Sequence, residues 1–224
     1  MSASAVPKSI TQDLWHHRLG PTGRARFRCK KPEDAVRNVT KIDQIETMIL
    51  DIPTIRGHVL SMATMRTQTA VLVTVRFADG SEGIGEGTTI GGLSYGAESP
   101  ESIKSAIDTY IAPALIGRPG DDVNGAIQLF DRLVKGNRIA KAAVEIALWD
   151  GLGKRLGVSV AQLFGGAVHD RLPVAWTLAS GNSETDIAEA LQMIEARRHN
   201  IFKLKIGKRD VKDDVAHVAR IKAA

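Results

Sequence analysis

Apolar side chains alternate with polar ones in three segments of the first half of the chain. These segments cover residues 42–52, 69–77 and 82–86. Alternation places successive side chains on opposite faces of a strand, and the β-branched residues that dominate 69–77 favour extended backbone. Because a short Asp-Gly turn sequence separates the last two segments, we predict a three-stranded antiparallel meander.

A helical period replaces this alternation from residue 99 onward. Ser99 followed by Pro100 is typical of a helix N-terminus, and Gly157 is typical of a helix end. The predicted helices cover residues 100–115, 121–135 and about 139–156. Strands followed by helices in this order predict an α+β domain.

The remaining chain predicts the order strand, helix, strand, helix. Apolar runs at 172–181 and 201–207 predict the strands, and Ser183 with Asp186 has the form of a capping box at the first helix. The predicted apolar stripes consist of Ile187, Ala190, Leu191 and Ile194 in the first helix and of Val211, Val215 and Val218 in the second. Such alternation implies a parallel sheet covered by helices. In a closed (β/α) barrel, inner side chains near the carboxyl ends of the strands form the active site.

Two lysines in the second of these strands are the candidate catalytic residues. Lys203 and Lys205 are two positions apart, so they share one face of the strand. On an exposed strand the same spacing would only place two charges in water. In a barrel mouth, however, two ammonium groups roughly 7 Å apart disfavour each other's protonation, and a lysine so placed can act as a base near neutral pH.

The net charge of +5 comes from the start of the chain. Residues 1–40 hold eight Lys and Arg against three acids, whereas residues 41–224 hold 22 of each sign. No aromatic-interleaved basic patch accompanies these charges, so we expect no nucleic-acid partner. No run approaches a membrane span, so we expect no membrane partner. The single Cys29 excludes a disulfide framework within the chain and a cysteine-rich zinc site, as expected in a reducing cytoplasm.

Residues 1–41 have no sustained apolar period, and we predict a disordered basic tail. Their Arg enrichment weakly resembles an organelle transit peptide. Such a peptide needs an amphipathic helix, which Pro7, Gly20, Pro21 and Gly23 would interrupt.

The third predicted helix carries a longer signature. Residues 140–157, followed by 160–166, resemble a signature of the enolase superfamily. Taken alone, residues 140–157 form an amphipathic helix whose Glu145, Asp150 and Lys154 are surface charges or intrahelical pairs. Further stretches resemble the muconate lactonizing (muconate cycloisomerase) family within the superfamily: residues 51–56, 83–86 with 88–93, 175–181 and 202–207. The resemblance extends from about Ile42 to the last residue.

This resemblance implies the architecture. An α+β capping domain, a three-stranded antiparallel meander plus helices, would cover residues 42–170. The first two β/α units of an incomplete (β/α) barrel would cover 171–224, and the basic tail 1–41 would precede both. Two capping loops, 53–67 and 87–96, would cover the substrate.

The resemblance also implies residue roles and a reaction. Lys205 would exchange the proton alpha to a substrate carboxylate, while Lys203 holds charge and orientation. Ile90 would pack on the diene and Tyr95 would offer a hydroxyl. In this family cis,cis-muconate closes reversibly to muconolactone in catechol and β-ketoadipate catabolism, and a divalent ion, Mn²⁺ or Mg²⁺, stabilises the enolate.

The partner implied is a small dicarboxylate, and we expect a cytoplasmic homo-oligomer for a full-length member. Chloromuconate cycloisomerase and dipeptide epimerase activities stay open as alternatives, because resemblance of fold does not separate substrates.

The family's three acidic metal ligands lie on barrel strands beyond the two predicted here. Asp210, Asp213 and Asp214 follow the lysine strand, but acids at a helix start favour its N-terminal dipole, and their irregular spacing does not converge on a site. We therefore expect no metal ligand in this chain and a truncated enzyme that is inactive by itself. The alternative is a non-catalytic remnant that binds a partner through its capping domain or an uncovered sheet edge.

Overall fold

The first sheet consists of three antiparallel strands in the order β1-β2-β3, as predicted. These strands are β1 (Ile42–Val59), β2 (Thr64–Phe77) and β3 (Glu82–Thr88). The computed structural model describes residues 39–59, 64–94, 96–207 and 209–224. The predicted disorder of the basic tail concerns residues that lie, except for the last three, outside the described ones.

Strands β1 and β2 continue through much of the segment 53–67, which we predicted as a loop. Pro53 pairs with Thr67, and after a register shift His58 and Val59 pair with Met65 and Thr64. The loop prediction was therefore wrong for most of this segment. Pairing between the two arms of the hairpin extends these strands beyond the run that their own residues favour.

Helices follow the sheet in the predicted order. They are α1 (Pro100–Ala106), a π-helical turn (Ile107–Ile111), α2 (Ala112–Leu115), α3 (Val123–Leu133), α4 (Arg138–Leu156) and α5 (Val160–Leu163), after a 3₁₀ turn at Gly92–Ser94. Ser99 caps α1 in a reciprocal capping box with Ser102. Gly157 ends α4 with φ 67°, in the left-handed conformation that glycine adopts easily. Both caps lie where the sequence predicts them.

Helix α4 packs unusually close to β3 because both faces lack large side chains. A Cβ on Gly83 or Gly85 would lie closer than 3.0 Å to backbone atoms of α4, at Ala147 and Ala143 respectively. The carboxylate of Asp150 accepts the backbone N–H of Ile84 at 2.8 Å. The small residues in the predicted third helix therefore serve helix–sheet packing.

Apolar side chains from this sheet and from α1 to α4 form one core. Its largest fully buried members are Ile42, Val71, Val73, Val75, Ile103, Ile107, Ile111, Leu115, Phe130, Val144 and Leu148. Alternation in β2 accounts for three of them, since every second side chain of a strand faces the same side.

A second, two-stranded sheet follows in the order strand, helix, strand, helix. Its elements are β4 (Trp176–Leu178), α6 (Ser183–Glu195), β5 (Phe202–Leu204) and α7 (Val211–Ala223). Strands β4 and β5 pair in parallel, with Trp176 opposite Phe202. The predicted parallel β/α arrangement is confirmed at this level, whereas the domain boundary at residue 170 stays a prediction.

Three details of the two helices differ from the predictions. Asn182, not Ser183, is the N-cap of α6, and its side chain accepts the N–H of Thr185. The predicted stripes are largely exposed at Leu191, Ile194, Val211 and Val215. The faces that are buried carry Ser183, Asp186, Ala190 and Met193 on α6 and Asp214 and His217 on α7.

None of the helices formed by the described residues combines the length and the apolar character that a membrane crossing requires.

Candidate active site at the end of strand β5

The two predicted catalytic lysines lie at the carboxyl end of β5. Lys203 is the exposed middle residue of this strand, and the half-buried Lys205 follows it. The backbone N–H of Lys205 donates to the carbonyl of Leu178 on β4 at 3.2 Å, so the pairing continues to this residue. The structure thus brings both lysines to the strand end where parallel β/α folds place their functional residues.

Burial and the neighbouring lysine together lower the pKa of Lys205 from its ordinary value of 10.5. Burial is the larger cause, because desolvation disfavours the ammonium form, and the positive charge of Lys203 adds to it. Lys205 therefore loses its proton more readily than an exposed lysine would. The spacing of the two lysines predicts the second of these causes.

A polar network holds the backbone just beyond Lys205. The carboxylate of Asp214 accepts the N–H of Gly207 at 2.7 Å and a guanidinium hydrogen of Arg209 at 3.0 Å. Arg209 also donates to the carbonyl of Gly181, in the loop after β4. The hydrogen bond from Gly207 is the largest cause that holds the pKa of Asp214 below its ordinary value of 3.8. The network joins the loops that follow β4 and β5.

Three buried polar side chains connect α6 to α7. Ser183 Oγ lies 2.8 Å from Nδ1 of His217, and Nε2 of His217 lies 3.4 Å from Oδ2 of Asp186. Oδ1 of Asp186 accepts the N–H of Ser180 at 3.0 Å, so the cluster also holds the loop after β4. Asp186 and His217 are 1% and 4% exposed, so a substrate does not reach them. Their role is to hold the two helices together.

The described residues do not fit a divalent metal site. Among them, no three His, Cys, Asp or Glu side chains lie close enough together to hold an ion. Asp214 is occupied by Gly207 and Arg209, and Asp213 lies in the first turn of α7, where an acid favours the helix dipole.

Arg56, near the end of β1, connects the first sheet to the second. Its guanidinium donates to the carbonyl of Thr177 at 2.6 Å, pairs with Glu189 on α6, and lies 4.8 Å from the ring centroid of Trp176. The Trp176 indole donates to the same carboxylate at 2.9 Å. A cavity of about 510 Å³ opens beside this contact and is lined by Arg56, Gly57, Ala179, Ser180, Thr185, Ala188, Glu189 and Gln192.

The predicted substrate contacts lie on another segment. Ile90 follows β3 and precedes the 3₁₀ turn, and its side chain is 39% exposed. Tyr95 lies outside the described residues, so its role stays a prediction.

Sequence reasoning missed the residues that hold the lysine strand in place. The sequence pattern predicts Asp186 as part of a capping box and Asp214 only as an acid that favours the helix dipole. The sequence does show that Asp214 and His217 are three positions apart and so lie on one helix face. Because polar residues at that spacing are typical of solvated faces, the spacing alone does not predict a buried polar cluster.

Comparison with known proteins identifies the family. The family model described as mandelate racemase / muconate lactonizing enzyme, N-terminal domain, matches residues 44–165. Muconate cycloisomerase 1 of Pseudomonas putida is 57% identical over 183 residues, which are 81% of this chain and 49% of the relative. Chloromuconate cycloisomerase of Cupriavidus pinatubonensis is 47% identical over 178 residues, which are 80% of this chain and 48% of the relative.

A solved structure shows the same fold. The crystal structure of muconate lactonizing enzyme from Pseudomonas fluorescens, complexed with muconolactone, is 55% identical and superposes with a TM-score of 0.80 over 83% of this chain and 50% of that one. The chain spans about half the length of the curated relatives it matches. Since the family model covers more than half of its residues, the chain belongs to the mandelate racemase / muconate lactonizing enzyme family.

Proposed function

We propose that this chain provides the proton-transfer lysines and a substrate-contacting segment of a muconate cycloisomerase. The observation that carries the proposal is the pair Lys203 and Lys205 at the carboxyl end of a parallel strand, in a chain 57% identical to Muconate cycloisomerase 1 of Pseudomonas putida. The β4-α6-β5-α7 unit corresponds, in this proposal, to the first two β/α units of a barrel, and the first sheet with its helices corresponds to the capping domain.

Lys205 exchanges a proton with the carbon alpha to one substrate carboxylate. In the ring-closing direction, an oxygen of the other carboxylate bonds to the diene carbon beta to the first carboxylate. The carbon–carbon π bond at that position breaks, and its electron pair moves through the alpha carbon onto the first carboxylate as an enolate. The ammonium of Lys205 then gives its proton to the alpha carbon. In the reverse direction neutral Lys205 removes that proton, and its lowered pKa makes the neutral form easier to reach.

Lys203 supports this exchange with its charge. The positive charge of Lys203 disfavours the protonated form of Lys205 and so contributes to the lowered pKa of Lys205. As a cation it also attracts and orients the dicarboxylate. Ile90 and Tyr95 are the proposed contacts to the diene and to a polar group of the substrate.

The cofactor, location and assembly rest on the family resemblance. A divalent ion, Mn²⁺ or Mg²⁺, is proposed on that basis alone, because the described residues do not form a site for it. A cytoplasmic homo-oligomer that acts on a small dicarboxylate is proposed on the same basis.

Chloromuconate cycloisomerisation is the second candidate function. Chloromuconate cycloisomerases are 47–48% identical to this chain, against 57–58% for two muconate cycloisomerases. The difference favours the unchlorinated substrate, and rates on the two substrates separate the candidates.

The test uses a chimera in which Ala224 is followed by the C-terminal half of the Pseudomonas putida enzyme, which is the part that this chain does not match. We expect turnover of cis,cis-muconate with Mn²⁺. The rate is measured as the loss of the diene's ultraviolet absorbance. Lys205→Ala should lower kcat by about 10²–10⁴-fold, whereas the exposed Lys222→Ala should not. Faster turnover of chloromuconate would favour the second candidate. A chimera that folds and binds Mn²⁺ but turns over neither substrate would contradict the proposal.

A further inference from the structure

The segment that carries Ile90 is anchored at its first end by a side chain of β2 and at its last end by its own Glu98, which binds α4. We call the described residues 88–94 and 96–98 the glycine-rich segment. Within it, Gly91 and Gly92 have φ of 68° and 57°, values that other residues adopt only with strain. The N–H of Gly96 donates to the carbonyl of Gly92 at 3.3 Å. The segment is thus a defined turn that presents the exposed side chain of Ile90.

Gln68 on β2 holds the first end. Its side-chain amide donates to Thr88 Oγ1 at 2.6 Å, to the carbonyl of Thr89 at 2.9 Å and to the carbonyl of Thr69 at 3.2 Å. The hydroxyl of Thr88 donates to the same Thr69 carbonyl at 3.1 Å. The NH₂ group of Gln68 is the donor in all three contacts and shares its two hydrogens among the three acceptors, so the anchor depends on an amide at this position.

Glu98 holds the other end on helix α4. It is 8% exposed, and its two carboxylate oxygens accept the backbone N–H groups of Ile139 at 3.0 Å and Ala140 at 3.2 Å. The N-cap of α4, Asn137, makes no side-chain capping bond. Glu98 therefore supplies the cap from a distant part of the chain, and its negative charge lies at the positive end of a 19-residue helix.

We propose that Gln68 and Glu98 are positioning residues that set the position of Ile90 through the two ends of the glycine-rich segment. Gln68 attaches the segment to the sheet, and Glu98 attaches it to α4. The sheet and α4 pack through the small residues of β3 and α4. The segment is therefore attached at both ends to closely packed elements. That its position matters for substrate binding rests on the proposed function, whereas the anchoring itself does not.

Isosteric substitutions separate anchoring from packing. Glu98→Gln keeps the shape but turns an NH₂ group toward a backbone N–H, so it loses one acceptor and the charge. Gln68→Glu also keeps the shape but cannot donate, and it places a carboxylate against two carbonyls. The matched controls are Glu195→Gln on α6 and Gln128→Glu on α3, two exposed positions with the same chemical changes.

The first measurement is hydrogen exchange on the 224-residue chain. We expect each isosteric variant to raise exchange of the Gly96 amide, whose N–H donates to the carbonyl of Gly92, by about tenfold, with exchange in β2 and α6 unchanged and with both controls like the parent chain. Unchanged exchange at Gly96, or a uniform rise across β2, α4 and α6, would overturn the inference, because the residues would then have no role or only a general one in stability. If Glu98→Gln does not fold, Gln68→Glu decides alone.

The second measurement is steady-state kinetics of the same variants in the chimera. Displacement of Ile90 should raise KM for cis,cis-muconate about tenfold while kcat stays within about threefold, because proton transfer occurs at Lys205 on another element. A general loss of stability would lower the active fraction and leave KM unchanged. If exchange responds and KM does not, the anchoring holds and the proposed contact between Ile90 and substrate is wrong.

Discussion

The sheet unit, residues 42–156, and the lysine unit, residues 176–223, are stabilised by different kinds of contact. Among the described residues, eleven of the twelve largest fully buried side chains belong to the sheet unit, and the lysine unit contributes only Leu178. Buried polar residues show the opposite distribution, since Ser183, Asp186, Asp214 and His217 lie in the lysine unit and Glu98 lies in the sheet unit. The sheet unit therefore buries most of the large apolar side chains, and the lysine unit buries most of the polar ones.

This difference agrees with the proposed function of the two units. Apolar burial is non-directional and provides most of the stability, so it suits a platform. Hydrogen bonds and ion pairs add less net stability but specify position, and in the lysine unit they hold the loops around Lys205. In the sheet unit the polar exception, Glu98, caps α4 and also fixes one end of the glycine-rich segment.

The largest expected effect tests the close packing of the sheet unit. Gly85→Ala should destabilise the chain by about 3 kcal/mol, because its Cβ would overlap the backbone of α4 at Ala143 and Ala147, which cannot rotate away. Urea unfolding measures the loss. Gly96→Ala is the control, since nothing lies within 4 Å of its Cβ, and it should change the stability by less than about 1 kcal/mol. Equal effects at both glycines would contradict the account of this packing.

The next effect concerns the polar cluster of the lysine unit. His217→Ala should cost about 2–3 kcal/mol, because it removes the buried hydrogen bond to Ser183 and the imidazole that lies 3.4 Å from the buried carboxylate of Asp186. In a double-mutant cycle with Asp186→Ala, the double variant should lose less stability than the sum of the two single losses, by about 1 kcal/mol or more. Arg220→Ala, which removes an exposed pair with Glu184 between the same helices, should have a much smaller effect. Additive losses would mean that His217 and Asp186 do not act together.

Acid should weaken the lysine unit through Asp214. The pKa of this carboxyl is lowered in the folded chain, chiefly by the N–H of Gly207, so its contribution to stability is present above the unfolded value of 3.8 and is lost as pH falls through the folded value. Asp214→Asn should therefore destabilise the chain at pH 7, and the difference should narrow below about pH 3.8. Urea midpoints measured from pH 7 to pH 2 test this. A difference that stays constant throughout would show that Asp214 acts without its charge.

The smallest expected effect is at Lys205 itself. Lys203→Ala should raise the pKa of Lys205, yet leave it below 10.5, because burial is the larger cause of the lowering and remains. A titration of the Lys205 side chain by NMR measures both values, and the exposed Lys212→Ala serves as the control. A return to the full ordinary pKa would mean that burial has no part in the shift.

Some of the candidate site follows from local pattern. Lys203 and Lys205 can be placed together on one strand because side-chain alternation is a property of the strand alone. The position of Ile90 between β3 and α1 also follows, since the glycines around it interrupt both the strand alternation and the helical period. The anchors of that segment do not follow, because Gln68 and Glu98 act on residues about 20 and 41 positions away, and one sequence carries no record of such pairs.

For the fold as well, the features that depend on local sequence are predicted and those that depend on packed neighbours are not. Helix caps at Ser99 and Gly157, the three-stranded meander and the β/α order are local consequences of propensity and period, and the chain pattern alone determines them. The polar inner faces of α6 and α7 depend on partners distant in sequence. The hairpin through 53–67 pairs residues that are close in sequence, but their own propensities do not predict pairing over this length. Leu191 and Val215 show the reason: helical spacing tells which residues share a face, but only the packed neighbours decide which face is buried.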